Sequence, residues 1–291
     1  MGMYEWKNFP DVKVNKTGTA ELVKQAVQTV TGLTVDNIIT VDFTGFAKAV
    51  DALGGIDVMV TKTFDDYGYP IEGKEDDLCG KEADFALIEK FLKPGFDQTE
   101  KDKLFKDKPE LEVFFNEMVK DPPYIALPCR YEHLHFDAGK VHMDGKTALK
   151  YVRSRHSLQD GSDFGRGARQ QQFVKALKDK LLSVSILTNV FPLMDQLKNH
   201  ISVDVSSDEL KKFVVEAKDI KSYRIINIHI SDSDYLESAS SNYGGYILIP
   251  RTGEDNWKEI KTMIQNGILE ITPTPSPLPK NKITPTVAKK K

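Results

Sequence analysis

The sequence lacks the segments that mark a membrane span, a targeting signal or a nucleic-acid-binding surface. It has no run of about 18 apolar residues, which excludes a membrane-spanning helix from it. Its first residues contain neither the basic and apolar regions of a signal peptide nor the Ser or Thr of a myristoylation signal, so taken alone they predict a cytoplasmic protein. With 40 Lys and Arg against 43 Asp and Glu, the net charge is −3, and no overall basic field favours nucleic acid.

Cysteine is also scarce, and the two that are present, Cys79 and Cys129, leave two interpretations open. Two free buried thiols are typical of a cytosolic protein, whereas a single disulfide is typical of an exported one. Such a disulfide would close a loop of roughly 50 residues and stabilise the fold by about 4 kcal/mol in the chain-entropy description. No histidine lies at ligand spacing from either cysteine, which disfavours a zinc site.

What the sequence does contain predicts an α/β (α+β) fold within a chain of ordinary globular composition, 40% hydrophobic and 29% charged. Strand-like and helix-like patterns alternate over residues 37–60. Residues 61–135 begin turn-rich and acidic and continue with charged helical stretches near 82–93 and 97–120, which indicates a helical insertion with the cysteines at its base. The Pro/Thr/Lys-rich residues 271–291 are expected to form a disordered tail after a domain over 1–270.

The most unusual stretch gathers four arginines within residues 151–173: Arg153, Arg155, Arg166 and Arg169. A long helix is expected from Asp163 to Ser183. At about 100° per residue, Arg166 and Gln170 fall on the stripe that becomes apolar in the later turns of this helix. Both side chains should therefore point toward the core near the helix N-terminus, where unpaired N–H groups favour an anion such as phosphate.

The other two arginines of interest precede that helix. A short helix capped by Asp144 is expected to end near Leu149, with an extended segment after it, so that Arg153 and Arg155 point to the same side. Three convergent guanidinium groups suit a pyrophosphate. Asp163 could cap the helix, orient Arg153 or Arg155, or act as a base. The alternative is that these arginines form salt bridges with carboxylates of their own chain.

Two histidines at alternate positions, His133 and His135, could form a metal-binding pair. Histidines on an exposed strand face, with no metal, are the favoured interpretation of this pattern.

Three ordered motifs of the sequence resemble the LytR-CpsA-Psr family: "VDFTGFAKAVDALGGIDVMV", "FDAGKVHMDGKTALKYVRSRH" and "DFGRGARQQQFVKALKDKLL". The resemblance implies an extracytoplasmic, membrane-associated bacterial phosphotransferase. Such an enzyme moves an anionic glycopolymer, of which teichoic acid is one kind, from a polyprenyl-pyrophosphate carrier to peptidoglycan during cell wall assembly. It also implies a mixed central β-sheet covered by helices on both faces, and assistance by Mg²⁺.

Position by position, the resemblance assigns the pyrophosphate to Arg153, Arg155, Arg166, Arg169 and Gln170, with Arg169 in a lesser role. It makes Asp163 and Arg166 the catalytic pair. The family's opening strands, with the aspartates that hold the metal, and its membrane helix are not found before the segment "VKVNK". We therefore expect a truncated chain of weak activity, with no metal ligands identifiable in it.

Two rival functions remain open at this stage. The same arginines could serve a non-catalytic binder of polyprenyl pyrophosphate or anionic polymer, which the absent aspartates favour. A transcriptional regulator of the cell envelope, an older description of the family, finds no support in the charge or in any recognition-helix pattern.

Overall fold

A computed structural model of the chain describes residues 18–183, 197, 199–206, 209, 212, 228, 230–240 and 246–271. The helices are α1 (Gly18–Thr31), α2 (Phe43–Ala52), α3 (Glu82–Ile88), α4 (Gln98–Asp107), α5 (Pro109–Met118), α6 (Gly145–Arg153), α7 (Asp163–Ser183) and α8 (Lys258–Ile271). The strands are β1 (Ile39–Val41), β2 (Ile56–Val60), β3 (Phe64–Pro70), β4 (Tyr131–Phe136), β5 (Gly139–Met143), β6 (Ile201–Val203), β7 (Leu236–Ser240) and β8 (Tyr246–Pro250). None of the described helices has the length and apolar character needed to cross a bilayer.

The chain combines helices and strands, as the sequence predicts. Within the described residues the strands pair as four two-stranded antiparallel sheets, which are β1–β6, β2–β5, β3–β4 and β7–β8. The sheets are thus small, and helices pack beside them.

Local sequence explains where the core helices begin. The Asp42 carboxylate accepts a hydrogen bond from the Gly45 amide at 2.6 Å, and the Asp144 carboxylate accepts one from the Thr147 amide at 2.7 Å. Each aspartate satisfies one of the amides left unpaired at a helix start. The cap predicted at Asp144 is confirmed.

The end of α6 differs from the expectation. The helix continues past Leu149 to Arg153, so the segment carrying Arg153 is helical and not extended. The reason is burial, because Tyr151 and Val152 continue the stripe that begins with Ala148 and pack into the core.

The main core lies between β2–β5, β3–β4 and the helices α2, α6 and α7. Its most enclosed apolar side chains are Ile56, Val58, Phe64, Met143, Ala148 and Tyr151. Gly145 lets α6 approach α2 closely, since a Cβ atom there would lie 2.1 Å from the Ala47 carbonyl oxygen. The close contact brings the start of α2 toward the end of α6, where the arginines begin.

The expected insertion is helical, but its limits differ from 61 and 135. Phe64–Pro70, read as turn-rich, is strand β3, and it pairs with β4. Phe64, Asp66 and Tyr69 of this strand are buried, which holds the acidic segment extended. The helices lie between the two strands, and Pro109 divides the second expected helix into α4 and α5.

The insertion has its own apolar cluster, and a disulfide joins its two ends. Phe91, Phe105, Leu111 and Leu127 are among the buried residues of this cluster. Cys79 and Cys129 are bonded, with 5.6 Å between their Cα atoms. Of the two interpretations left open, the structure therefore has the disulfide.

The chain divides into two compact units, residues 39–225 and the end segments 1–38 with 226–291. The first contains both apolar clusters. In the second, α1 and α8 are in contact near Gly32 and Lys261, and β7 pairs with β8. The predicted domain over 1–270 spans both units, and residues 272–291 of the predicted tail lie outside the described residues.

Candidate functional site

Three of the four arginines line one cavity of about 500 Å³ in the larger unit. Arg153 ends α6, Arg155 follows two residues later, and Arg166 lies in the first turn of α7. Gln170, His156 and Asp66 add to the polar part of the wall, and Phe43, Tyr69, Pro70 and Val152 belong to its apolar part. The structure therefore brings together Arg153, Arg155, Arg166 and Gln170, although the local structure at Arg153 is not the one expected.

Arg153 is held by aromatic rings. The centre of its guanidinium group lies 4.1 Å from the ring centroid of Phe43 and 5.8 Å from that of Tyr69. Its Nη1 donates to the Tyr69 hydroxyl at 3.5 Å. Burial raises the pKa of Tyr69, whose hydroxyl is protonated at neutral pH in any case and can donate a hydrogen bond to an acceptor in the cavity. Cation–π contacts of this kind orient a guanidinium group and leave N–H donors available to a ligand.

Arg155 and Arg166 share a carboxylate. Asp163 Oδ1 lies 3.5 Å from Arg155 Nε and 3.1 Å from Arg166 Nη2. The Asp163 side chain is 63% exposed and does not line the cavity. Pairs in such contact with water contribute little stability, so an anion of higher charge can compete for both guanidinium groups. Of the roles considered for Asp163, the geometry matches orientation of Arg155.

The cap of α7 belongs to another residue. Ser162 Oγ accepts a hydrogen bond from the Gly165 amide at 3.0 Å, and the Ser162 carbonyl accepts one from the Arg166 amide. Asp163 is the first residue of the helix instead of its cap. Gln170 donates from Nε2 to the Val152 carbonyl at 3.2 Å and thereby ties α7 to the end of α6.

Arg169 does not line this cavity, and its predicted lesser role beside the pyrophosphate stays a prediction. Its side chain is 2% exposed, and it donates to Asp160 Oδ1 at 2.6 Å and to the Ser154 carbonyl. Its guanidinium group lies 4.8 Å from the Phe64 ring centroid. For this arginine the structure shows the alternative, a salt bridge within the chain.

The reason is helical periodicity. Phe173 and Ala176 of α7 are buried, and Arg169 lies four positions before Phe173. Residues four positions apart share one face of a helix, so Arg169 faces the core as well. The core-facing stripe of α7 thus runs through Arg169, and Arg166 and Gln170 lie beside it. Leu181, expected on the core-facing stripe, is 40% exposed.

Asp66 is a site residue that the sequence did not reveal. Its buried carboxylate accepts hydrogen bonds from Ser154 Oγ at 2.6 Å, from the His156 amide at 3.2 Å and from the Gly68 amide at 2.9 Å. These bonds fix the backbone on both sides of Arg155. The sequence does contain one sign of this strand, because Phe64 and Asp66 are two positions apart and would lie on the same face of a strand with one buried face.

A Mg²⁺ ion in this cavity would require several oxygen ligands. Among the described residues that line it, Asp66 is the one carboxylate, and protein donors already occupy both of its oxygens. The described residues of this cavity therefore do not fit a magnesium ion.

Comparisons with known proteins give a consistent result. A sequence model of the LytR_cpsA_psr family matches residues 10–260. The polyisoprenyl-teichoic acid–peptidoglycan teichoic acid transferase TagU of Oceanobacillus iheyensis is 23% identical over 203 residues, which are 70% of this chain and 43% of that protein. The transferase TagV of Bacillus subtilis is 22% identical over 231 residues, 79% of this chain and again 43% of the relative. The chain thus spans less than half of these relatives.

Among solved structures, a protein of Enterococcus faecalis described as a transcriptional regulator superposes with a TM-score of 0.50 at 17% identity. The match covers 86% of this chain and 66% of that one. At this identity the likeness shows the fold alone.

Proposed function

Because the family model covers residues 10–260, the chain belongs to the LytR-CpsA-Psr family, and from that membership we propose that its arginine-lined cavity binds the diphosphate of a polyprenyl-linked glycopolymer. The activity we propose is transfer of that polymer to peptidoglycan. One observation carries the proposal, namely the convergence of Arg153, Arg155 and Arg166 on a cavity with an apolar wall.

The charge of the site suits a diphosphate. Three guanidinium groups offer paired N–H donors in the planar arrangement that phosphate oxygens accept. The carboxylates of Asp163, beside the cavity, and Asp66, in its wall, offset part of their charge, and the ligand would take over the guanidinium groups that Asp163 now holds. Phe43, Tyr69 and Val152 provide apolar surface that the first isoprene units of the carrier would cover.

The proposed reaction is a phosphoryl transfer. A hydroxyl group of a peptidoglycan sugar attacks the phosphorus nearer the polymer, and the bond from that phosphorus to the bridging oxygen breaks. The polymer becomes joined to the acceptor sugar by a phosphodiester, and polyprenyl phosphate leaves with the bridging oxygen. The arginines stabilise the charge that develops on the phosphate oxygens.

The hydroxyl proton must pass to a base, for which Asp163 is our candidate. In the present geometry its carboxylate is held by Arg155 and Arg166. It would accept the proton after the diphosphate has drawn both guanidinium groups away. Asp163→Asn separates this role from orientation, because the amide can still accept a hydrogen bond from an arginine but is not a base.

The family resemblance implies that Mg²⁺ assists the reaction, and we keep this ion in the proposal without assigning ligands for it to the cavity. The described residues of the cavity supply no free carboxylate pair. Any such ion would take ligands from the diphosphate itself, and no step above depends on it.

The proposed partners and location follow from this chemistry. Teichoic-acid-like polymer, peptidoglycan and the membrane surface that carries the lipid are the partners, at the extracytoplasmic face of the cell envelope. The disulfide between Cys79 and Cys129 is a feature of oxidising compartments and supports that location. Nucleic acid is not a proposed partner.

A second candidate function is a binder of the lipid diphosphate without transfer. The lack of a carboxylate cluster at the cavity, within the described residues, favours it.

A transfer assay tests the proposal. Purified chain is mixed with a polyprenyl-diphosphate-linked glycopolymer and peptidoglycan, with and without Mg²⁺, and polymer joined to peptidoglycan is measured. Turnover should fall by about 100-fold or more in Arg155→Ala and Arg166→Ala, the size expected for lost charge stabilisation. The matched control Lys106→Ala removes an exposed charge from α4 and should retain turnover. Tight binding without turnover in the wild-type chain would favour the binder, and neither binding nor turnover would refute both.

A further inference from the structure

A second cluster of chemically active side chains lies on the outer side of the β3–β4 pair. His133 and His135 are two positions apart on β4, so they project from the same face. Asp65 on β3 lies directly opposite His135 in the antiparallel register. The neighbouring residue, Asp66, points the other way, into the arginine-lined cavity. The cluster therefore belongs to a different surface from the proposed diphosphate site.

The three side chains converge on one point. Asp65 Oδ1 lies 2.8 Å from His133 Nε2 and 2.8 Å from His135 Nδ1. The three atoms that could bind a metal all lie within 4.8 Å of one another. An ion with bonds of about 2.0–2.2 Å to imidazole nitrogen and carboxylate oxygen can join them after small side-chain rotations.

Neighbouring residues hold each ligand in place. The His133 ring is stacked on Tyr67, with 4.0 Å between ring centroids and an interplanar angle of 1°. The other nitrogen of His135, Nε2, faces Asp137 Oδ1 at 3.3 Å. Gln159 accepts a hydrogen bond from the Asp65 amide at 2.8 Å and donates to Asp65 Oδ2 at 3.4 Å. A carboxylate on the far nitrogen of a histidine is the usual outer contact of metal-binding imidazole, since it fixes the tautomer that directs a lone pair at the ion.

We propose that Asp65, His133 and His135 form a binding site for a divalent transition-metal ion, with Zn²⁺ the expected occupant. Two imidazoles and one carboxylate are the ligands of zinc and its neighbours in the first transition row, whereas Mg²⁺ prefers oxygen alone. The histidines and Asp65 are partly exposed, which gives an ion access and leaves a coordination position for water. The ion would link β3 to β4 and so stabilise the pairing of the two strands between which the helical insertion lies in the chain.

The chain contains a matched control on another pair of strands. His142 on β5 pairs with Asp57 on β2 at 2.7 Å, and both are more exposed than their counterparts in the cluster. That pair has one histidine, so it can form a salt bridge but offers too few ligands for tight zinc binding.

The experiment is zinc titration of the full, untagged chain after removal of metal, by calorimetry, with millimolar Mg²⁺ as competitor. We expect one zinc ion per chain, unaffected by Mg²⁺. Affinity should fall by about 100-fold in His133→Ala and His135→Ala, by about tenfold in Asp137→Asn, and not at all in His142→Ala. Zinc should also raise the melting temperature of the wild-type chain but not of His133→Ala.

The outcomes separate a metal site from an ordinary ion-pair cluster. Absence of saturable zinc uptake, or uptake that survives loss of both histidines, would overturn the proposal. Should the alanine variants fail to fold, X-ray absorption on the zinc-loaded wild-type chain decides. Two imidazole nitrogens and a carboxylate oxygen support the site, and fewer than two imidazoles refute it.

Discussion

Replacing Arg169 by methionine should destabilise the larger unit strongly, although the same change at Arg155 should not. Arg169 is 2% exposed and donates to the carboxylate of Asp160 and to the carbonyl of Ser154. Methionine fills much of the same volume but removes the donor of the Ser154 carbonyl, and it leaves Asp160 Oδ1 with the hydrogen bond from Ser157 Oγ alone. A charge-assisted hydrogen bond contributes roughly 1.5–3 kcal/mol, and a buried carbonyl left unpaired costs about another 1 kcal/mol.

Burial of the apolar methionine side chain offsets part of the stability lost with these hydrogen bonds. The expected decrease in the free energy of unfolding is therefore about 2–4 kcal/mol. For a unit of this size the melting temperature should fall by roughly 5–15 °C. Arg155, whose side chain is 50% exposed, is the control, and Arg155→Met should stay within about 0.5 kcal/mol of wild type.

Urea unfolding followed by circular dichroism measures both variants. Asp160→Asn and the double variant Arg169→Met/Asp160→Asn complete a double-mutant cycle. The cycle gives the interaction free energy between Arg169 and Asp160. If Arg169→Met unfolds at the same urea concentration as the wild-type chain, the structural role of Arg169 is refuted.

Three further predictions concern other parts of the fold. Replacing Cys79 and Cys129 by serine should lower stability by about 4 kcal/mol in the chain-entropy description, seen as faster proteolysis within residues 71–130; equal proteolysis of variant and wild type would contradict this. Gly145→Ala should cost about 1–3 kcal/mol in urea unfolding, since the new Cβ would meet the Ala47 carbonyl at 2.1 Å, and a neutral effect would mean that α2 and α6 can separate. Burial raises the pKa of Tyr151 from 10.0 to about 12. Between these pH values the unfolded chain loses a proton that the folded chain keeps, so the free energy of unfolding falls as pH rises. Tyr151→Phe should make that fall shallower, and an unchanged slope would refute the assignment of the pKa shift to Tyr151.

The sequence predicted best the features that depend on neighbouring residues. The cap at Asp144 and the helix from Asp163 to Ser183 follow from local hydrogen bonds and periodicity. The clustering of the arginines was visible in the sequence itself and the family resemblance agreed with it, and the structure brings Arg153, Arg155 and Arg166 to one cavity. Their role in binding pyrophosphate stays a prediction.

Features that depend on contacts distant in sequence were missed. Helix α6 is longer than expected because Tyr151 and Val152 are buried by elements far along the chain. Strand β3 was read as turns because its buried Asp66 is satisfied by residues near position 154, and no local pattern reveals those partners. The burial of Arg169 was missed because a charged residue at a core position is favourable only with a partner such as Asp160.

The central claim is that three arginines form a diphosphate site, and equilibrium binding of a short-chain polyprenyl diphosphate tests it most directly. The wild-type chain should bind this ligand at least about tenfold more tightly than the corresponding monophosphate, because the second phosphate adds charge-assisted hydrogen bonds. Arg153→Ala, Arg155→Ala and Arg166→Ala should each weaken diphosphate binding by about tenfold or more, and Lys106→Ala should not. Equal affinity for the two ligands, or unchanged affinity in all three arginine variants, would contradict the account.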